Sequence, residues 1–398
     1  MSAAQHVFIH PWLNREERWG ALFVSASAAS PDCCASLLQL CCKEGASALG
    51  HALPWFVPLT PGICTADSHA WPLDRTVFLA QEPEDSDKNS EWLKPVENIR
   101  AAGGKVGVLA FPHRPLPPPG GKWDYVILET CHARTAPPVK MMVLETQSTI
   151  VLSGVKSRQD FEWAQANQAA LTSTEFLLTR TRDPMKPDMR RVHLLQLLSL
   201  VTQDADTPEL EEIFRQEPKL SYSLLRLVNS AAMGLRTPIN SFGQAISLLG
   251  RRQLQRWLQL LVYADPGSLD HPNPLLQWAA MRGRLMELAF QQVSPPPELA
   301  IEADSAFMTG IFSLLDVLLN LSMEDILSQL PVATPVKLAL TERAGPLGEL
   351  LRAIESGERK KLAVASETLS GLGIGCAEFV QSQLAAIDWA HKVSQQAS

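Results

Sequence analysis

PKLSYSLLRLVNSAAMGLRTPINSFGQAISLLGRRQLQRWLQLLV, residues 218–262, reads as three short helices in a row. The first runs from Pro218 to Ala232 and carries Leu220, Leu224, Leu227, Val228 and Ala231 on one face. The second runs from Ser241 to Leu249, with Phe242, Ala245, Ile246 and Leu249 at helical offsets. The third follows Gly250, with Leu254, Trp257, Leu258 and Leu261 at the same offsets. Apolar residues at such offsets form a stripe along one side of a helix. Pro218 suits a first turn, where its missing N–H costs nothing. Pro238 and Asn240 break the chain, and Ser241 is a plausible N-cap. Three successive stripes need a common helical core.

The chain has 398 residues, enough for more than one sizeable core. Hydrophobic residues make up 46% and charged residues 19%, the balance of an ordered globular protein. The net charge of −7 argues against a general nucleic-acid or anionic-membrane binder, though not against a local basic patch. The run 311–321 is broken by Asp316, so no membrane span is expected. The N-terminus lacks a basic start followed by an apolar signal core, which points to a cytoplasmic protein. Cys33, Cys34, Cys41 and Cys42 sit close together but do not match zinc-ligand spacing. Small buried hydrophobes in a reducing compartment is the reading preferred for them.

Residues 1–180 alternate short apolar runs with helical patterns. The runs are 21–25, 55–59, 76–80, 104–111, 124–129 and 149–155; helix candidates are 32–49, 89–102 and 157–171. Strand–helix alternation with continuous apolar strands predicts a parallel sheet covered by helices, open or closed as a barrel. Ser157 is a reasonable N-cap, Gly103-Gly104 a reasonable helix stop, and the Pro-rich stretch 112–120 a surface loop. In such folds the site lies at the carboxyl ends of the strands. There Glu82 and Glu129 are the only carboxylates, whereas a divalent-metal site needs several converging oxygens. His132 follows Cys131 after a strand, but a lone Cys-His pair is a weak signal.

This half resembles a degenerate Glu-Ala-Leu (EAL) domain, the cyclic-di-GMP phosphodiesterase barrel. The first motif strand aligns with Gly20-Ala21-Leu22-Phe23-Val24-Ser25, which puts the metal-binding Glu position on Ala21 and the nucleotide-binding Arg position on Ser25. The strand Asn falls on Pro58, and the paired glutamates on Leu79 and Glu82. The Asp-Asp pair becomes Leu109-Ala110, the Lys-x-Asp strand Ile127-Leu128-Glu129, and the late Val-Glu-Thr Val155-Lys156-Ser157. The resemblance therefore implies a barrel without the family's ligands. The half is also short for a complete barrel, so an incomplete one, lacking an element or more, is open.

A polar stretch, 180–189, divides the halves, giving domains at 1–182 and 190–398. Beyond it helix follows helix: Val192 to Val201, one beginning at Thr207, the three opening helices, then 272–292, 302–321, 323–330, 334–342, 346–356 and 377–391. An all-α domain is expected. It resembles the HDOD domain, an output module related to the HD metal-dependent phosphohydrolases. The resemblance rests on Glu217-Pro218-Lys219-Leu220, Leu224 to Ser230, Ile246 to Gly250 with Leu254 and Trp257, Trp278, and Ala306-Phe307 through Gly310. Together the halves resemble bacterial EAL–HDOD two-domain signalling proteins. In the HDOD pattern the His-Asp dipeptide position falls on Ser313-Leu314 and the earlier His on or beside Ala280. Asp304 and Asp316 remain, and Asp316 has Arg282 or Arg284 as a potential partner, though a solvated position is the plainer reading.

The expectation is a non-catalytic cytoplasmic scaffold with no cofactor, no metal and no catalytic residue. It would act on unidentified signalling proteins, with a homodimer as a further expectation, in motility or cyclic-di-GMP-linked pathways. The candidate partner face carries Arg226, Arg251, Arg252 and Arg256. A residual phosphohydrolase or nucleotide sensor is the enzymatic alternative. A helix-turn-helix DNA reader is the third, weakened by the long 232–240 connection and the acidic chain.

Overall fold

The structure is a computed structural model and describes residues 6–26, 53–59, 72–81, 90–110, 121–135, 147–180, 198–200, 203, 206, 242–263, 274–296, 301, 303–330 and 332–397. The helix candidate 32–49 with its cysteines, the loop 112–120, Glu82, most of 192–201, the helix start at Thr207, the first opening helix 218–232 and Arg226 lie outside the described residues. By contacts the chain divides into two compact units. One comprises 1–179, 292–295 and 352–388; the other comprises 180–291, 296–351 and 389–398.

The first unit is built on eight strands, β1 Val7–Leu13, β2 Trp19–Ala26, β3 Trp55–Pro58, β4 Thr76–Gln81, β5 Lys105–Leu109, β6 Tyr125–Glu129, β7 Thr149–Ser153 and β8 Leu171–Thr172. They close in sequence order into a barrel. The barrel is therefore complete, which corrects the expectation of a missing element. Strands β2 to β8 run parallel, and β1 runs antiparallel to both β2 and β8. All six apolar runs are strands. β1 escaped the pattern because His10 and Pro11 interrupt it, and β8 because it is only two residues long.

Strand side chains alternate between the barrel lumen and the helical layer. Trp12, Ala21, Phe23, Phe56, Val77, Leu79, Ile127, Val151 and Leu171 form the lumen core, with Leu109 and Tyr125 packed on it. Trp12 stacks on Phe23, Phe23 on Phe56, and Phe56 meets Tyr125 edge-on. The lumen is a packed aromatic core rather than a channel. The outward residues Leu22, Val57, Phe78, Val106, Val126, Leu128, Ile150 and Leu152 are buried as well, so each strand reads as a continuous apolar run.

Helix α1, Lys94–Ala101, follows a single 3-10 turn at Ser90–Leu93 and buries Val96 and Ile99. It stops where Gly103 adopts φ 81, with the Gly104 N–H donating to the Ile99 carbonyl at 2.9 Å. Helix α2 is Thr130–Thr135. Helix α3, Arg158–Ala166, is capped by Ser157, whose hydroxyl accepts from the Asp160 N–H. It ends five residues earlier than its pattern predicts, because Gln168 turns left-handed at φ 64. That leaves 171–172 for β8.

Of the C-terminal helices, α4 is Phe242–Leu261, α5 Pro274–Phe290, α6 Ala303–Phe312, α7 Leu315–Leu319, α8 Met323–Gln329, α9 Thr334–Glu342, α10 Gly345–Glu358, α11 Leu362–Gly371 and α12 Cys376–Ala397. Gly250 sits inside α4 at φ 73, ψ 156, so the run is two helices meeting at a kink, as the second and third opening stripes predict. The single helix expected over 302–321 is divided by the turn at Ser313-Leu314. Helix α11 has no counterpart in the expected set.

Contacts divide the chain differently from the polar stretch between 182 and 190. Residues 352–388 cluster with the barrel. The reason is local: β1 meets β8 only at Leu13 and Thr172, so the rest of that edge needs a partner. Gln383 of α12 supplies it, its Oε1 accepting from the Ile9 N–H at 2.9 Å and its Nε2 donating to the Val7 carbonyl at 2.8 Å. His6 completes the seam. Its Nε2 faces the Ile374 carbonyl at 2.9 Å, which can only accept, so Nε2 carries the proton and Nδ1 accepts from the Ser366 hydroxyl at 2.9 Å.

Candidate functional site

The carboxyl ends of the parallel strands make the barrel mouth, where α/β barrels bind ligands. A pocket of about 280 Å³ lies there, lined by Gln81, Leu109, Ala110, Ile127, Glu129, Ser153, Gly154 and Lys360. Glu129 is the one carboxylate among those residues. Gly154, at φ 65, lets the backbone pass beside it: a Cβ there would stand 3.2 Å from the Glu129 side chain. The Lys360 ammonium pairs with Glu175 Oε1 at 2.7 Å and lies 5.7 Å from the Trp12 ring centroid, over the aromatic stack.

Four of the positions that the EAL resemblance singles out fall in or against the barrel core, whereas Ser25 and Pro58 are half-buried and Lys156 is exposed. Ala21, Leu79 and Ile127 belong to the lumen cluster, and Leu109 packs on it. Glu129 is two residues beyond Ile127 and shares its inward side. A divalent cation needs several oxygen donors. The described pocket lining offers one carboxylate, two neutral polar side chains and a lysine, a donor set that does not fit such an ion. Among the described residues no group of three or more His, Cys, Asp or Glu is placed to hold a metal.

Two polar groups at the mouth were not legible as site residues. His10 is 8% exposed and its Nε2 has no hydrogen-bond partner. Burial and the charge of Lys360 push it down, against the opposing pull of Glu175, to about 4. Glu175 also keeps one buried oxygen, Oε2, without a partner. An apolar stretch interrupted by a single His was the available signal for His10. Glu175 and Lys360 meet across the fold and left none. Cys131 is exposed while His132 is buried, so α2 does not present them as a pair.

In the second unit the structure places the remaining sites. Arg256 is not free for docking: it is 19% exposed and held by Glu287 and Asp304, with its guanidinium 4.6 Å from the Phe307 ring centroid. Arg252, 66% exposed, also pairs with Asp304. Arg251 lies at the same helix start, and its side chain is outside the described ones. Arg284 donates to Glu287 at 2.6 Å. Burial raises the Asp304 carboxyl, but hydrogen bonds from Arg252 and Arg256 outweigh it and hold it below its ordinary value. Asp304 is thus a structural counter-ion. At the dipeptide position, buried Arg282 donates to the Ser313 hydroxyl at 2.7 Å. Asp316 is half-buried rather than solvated. Desolvation raises its carboxyl despite the Val317 N–H and the charges of Arg180, Arg282 and Arg343.

This geometry predicts that Arg256→Met destabilises the second unit by about 2 kcal/mol, because Glu287 is left buried with less compensation. Adding Glu287→Met should recover most of the loss. Urea midpoints of the two variants check it, and equal losses in both would contradict the assignment.

Residues 187–264 match the family described as HDOD domain. Over 202 residues the chain is 33% identical to the cyclic di-GMP phosphodiesterase CdgJ of Vibrio cholerae, covering 50% of this chain and 46% of that protein. Over 199 residues it is 27% identical to the uncharacterized protein YuxH of Bacillus subtilis, covering 50% and 47%. The chain spans about half the length of the curated relatives it matches. Among solved structures, the EAL domain of Mycobacterium smegmatis DcpA is similar at TM-score 0.35 and 11% identity, over 43% of this chain and 90% of that one. The EAL-like domain protein YdiV is similar at 0.32 and 10%, over the same shares.

Proposed function

We propose that this chain, an eight-stranded barrel joined to an HDOD domain, is a non-catalytic scaffold that signals through protein–protein contact in a cyclic-di-GMP-linked pathway. The supporting observation is the inward side of the barrel. Ala21, Leu79, Leu109 and Ile127 stand where the resemblance puts ligands, and they pack into an aromatic core. Metal-assisted phosphodiester hydrolysis needs cations clamped by several oxygens. Among the described residues, the pocket lining offers one carboxylate, and Glu175 beside it is paired with Lys360, a set that does not supply that clamp. A cytoplasmic setting belongs to the same proposal; among the described residues no helix is long and apolar enough to cross a membrane.

The proposed docking face carries Arg226, Arg251 and Arg252; Arg256 is left out of it because internal ion pairs hold its guanidinium. The partners of this face are other signalling proteins or a second copy of this chain. Charge reversal at Arg251 and Arg252 should release a partner captured from the native host, and full retention would exclude this face. The named activity of CdgJ favours a second reading, a weak phosphodiesterase using Glu129. Calorimetry and product chromatography with cyclic di-GMP and Mg2+ or Mn2+ separate the two. The scaffold reading expects no saturable binding and no turnover; turnover lost in Glu129→Gln would establish the second.

A further inference from the structure

We propose that residues 359–361, the turn joining α10 to α11, form a strap that closes the barrel mouth and can be released without unfolding the barrel. A Cβ at Gly357 would lie 2.5 Å from Phe8 Cδ1, so the last turn of α10 is seated directly on that ring. Phe8 and Trp12 share the inward side of β1, four residues apart on a strand of period two. From this seat the chain reverses. Lys360 N–H donates to the Gly357 carbonyl at 2.9 Å and Lys361 N–H to Ser356 at 2.8 Å. Lys360 itself adopts φ 60, the left-handed residue of a Schellman helix stop. The reversal aims its side chain over the mouth, where it lines the pocket, pairs with Glu175 and lies over Trp12.

What holds the strap differs in kind from what holds its flanks. The Lys360 and Glu175 side chains are 45% and 24% exposed, and an ion pair so open to water is weak and screened by salt. The contact with Trp12 is a cation–π interaction at the edge of its range. The flanks are fixed by buried contacts, α10 by the close packing of Gly357 on Phe8 and α11 by the bond between Ser366 and His6. The next helix, α12, is held by Gln383 on the β1 backbone. A short turn, a screened latch and fixed flanks are the requirements of a local device that opens while the barrel stays folded.

The test uses the full-length chain carrying Ser153→Cys, which puts a thiol among the pocket-lining residues. Its maleimide labelling rate is followed by peptide mass spectrometry, with half-buried Cys376 on α12 as the reporter of wider opening. Lys360→Ala should raise labelling at position 153 about tenfold and leave Cys376 unchanged, a change corresponding to about 1.4 kcal/mol in the opening equilibrium. Raising salt should give a smaller increase in the Lys360 background and none in Lys360→Ala. An unchanged rate at 153 would overturn the strap. So would equal increases at both sites, which would mean that the mouth opens only when α12 leaves the barrel. Nucleotide enters neither measurement, so the outcome is independent of the hydrolysis assay.

Discussion

A chain ending at residue 182 is expected not to fold into a stable barrel, although it contains all eight described strands. The seam between β1 and β8 is the reason. The strands meet only at Leu13 and Thr172, and the edge of β1 toward the mouth is satisfied by the Gln383 amide. Val7, Ile9 and Gln383 are all buried, so water does not replace that amide in the intact chain. Phe379 adds edge-on contacts with His6 and Phe8. Truncation removes these groups together and exposes the apolar residues they cover. Within the full chain, Gln383→Leu isolates the amide. It leaves one N–H and one carbonyl buried without partners, at about 1–3 kcal/mol each, so a loss of about 3 kcal/mol is expected. Urea denaturation followed by far-ultraviolet circular dichroism measures both. A cooperative transition for residues 1–182 at the full-length midpoint would refute the account.

The same seam separates what the sequence discloses from what it does not. Strands β2 to β7 are legible because each is buried on both faces, which writes a continuous apolar run into the chain. The helix stop at Gly103-Gly104, the Ser157 cap and the kink at Gly250 are legible because each rests on a backbone requirement met within a few residues. β1 is not legible by run length, since Pro11 and His10 interrupt it; its partners are supplied by a hairpin on one side and a distant helix on the other. Arg256 looked like part of a basic surface because Arg251 and Arg252 are its neighbours in sequence. Its actual neighbours, Glu287 and Asp304, come from α5 and α6. Lys360 and Glu175 carry no local signature, and their meeting at the mouth follows from the packing of α10 and α11 on the barrel.

His10 gives the pH dependence expected of such a mouth. It lies between Phe8 and Trp12 in sequence and on their side of β1, buried, with an unpartnered Nε2. Burial lowers its pKa first and the Lys360 charge lowers it further, against Glu175, to about 4 from an ordinary 6.5. Between those values the unfolded chain binds a proton that the folded chain refuses. The number of protons bound is then greater in the unfolded state, so stability falls as pH drops through that window. The contribution is fully present above about pH 6.5 and is gone by about pH 4, a loss of roughly 3 kcal/mol, because each pH unit between the two values is worth about 1.4 kcal/mol. His10→Gln should flatten most of this slope. A shallower slope should remain from His6, whose pKa burial also lowers despite its bond to the Ile374 carbonyl. Asp304 and Asp160, both held below their ordinary carboxylate value, act in the same direction but only at lower pH. Lys360→Met should also reduce the slope, because it removes a positive charge that keeps His10 neutral. Urea midpoints at half-unit steps from pH 4 to 7 decide it. Identical slopes for the parent chain and His10→Gln would place His10 in contact with water and remove it from the closed mouth.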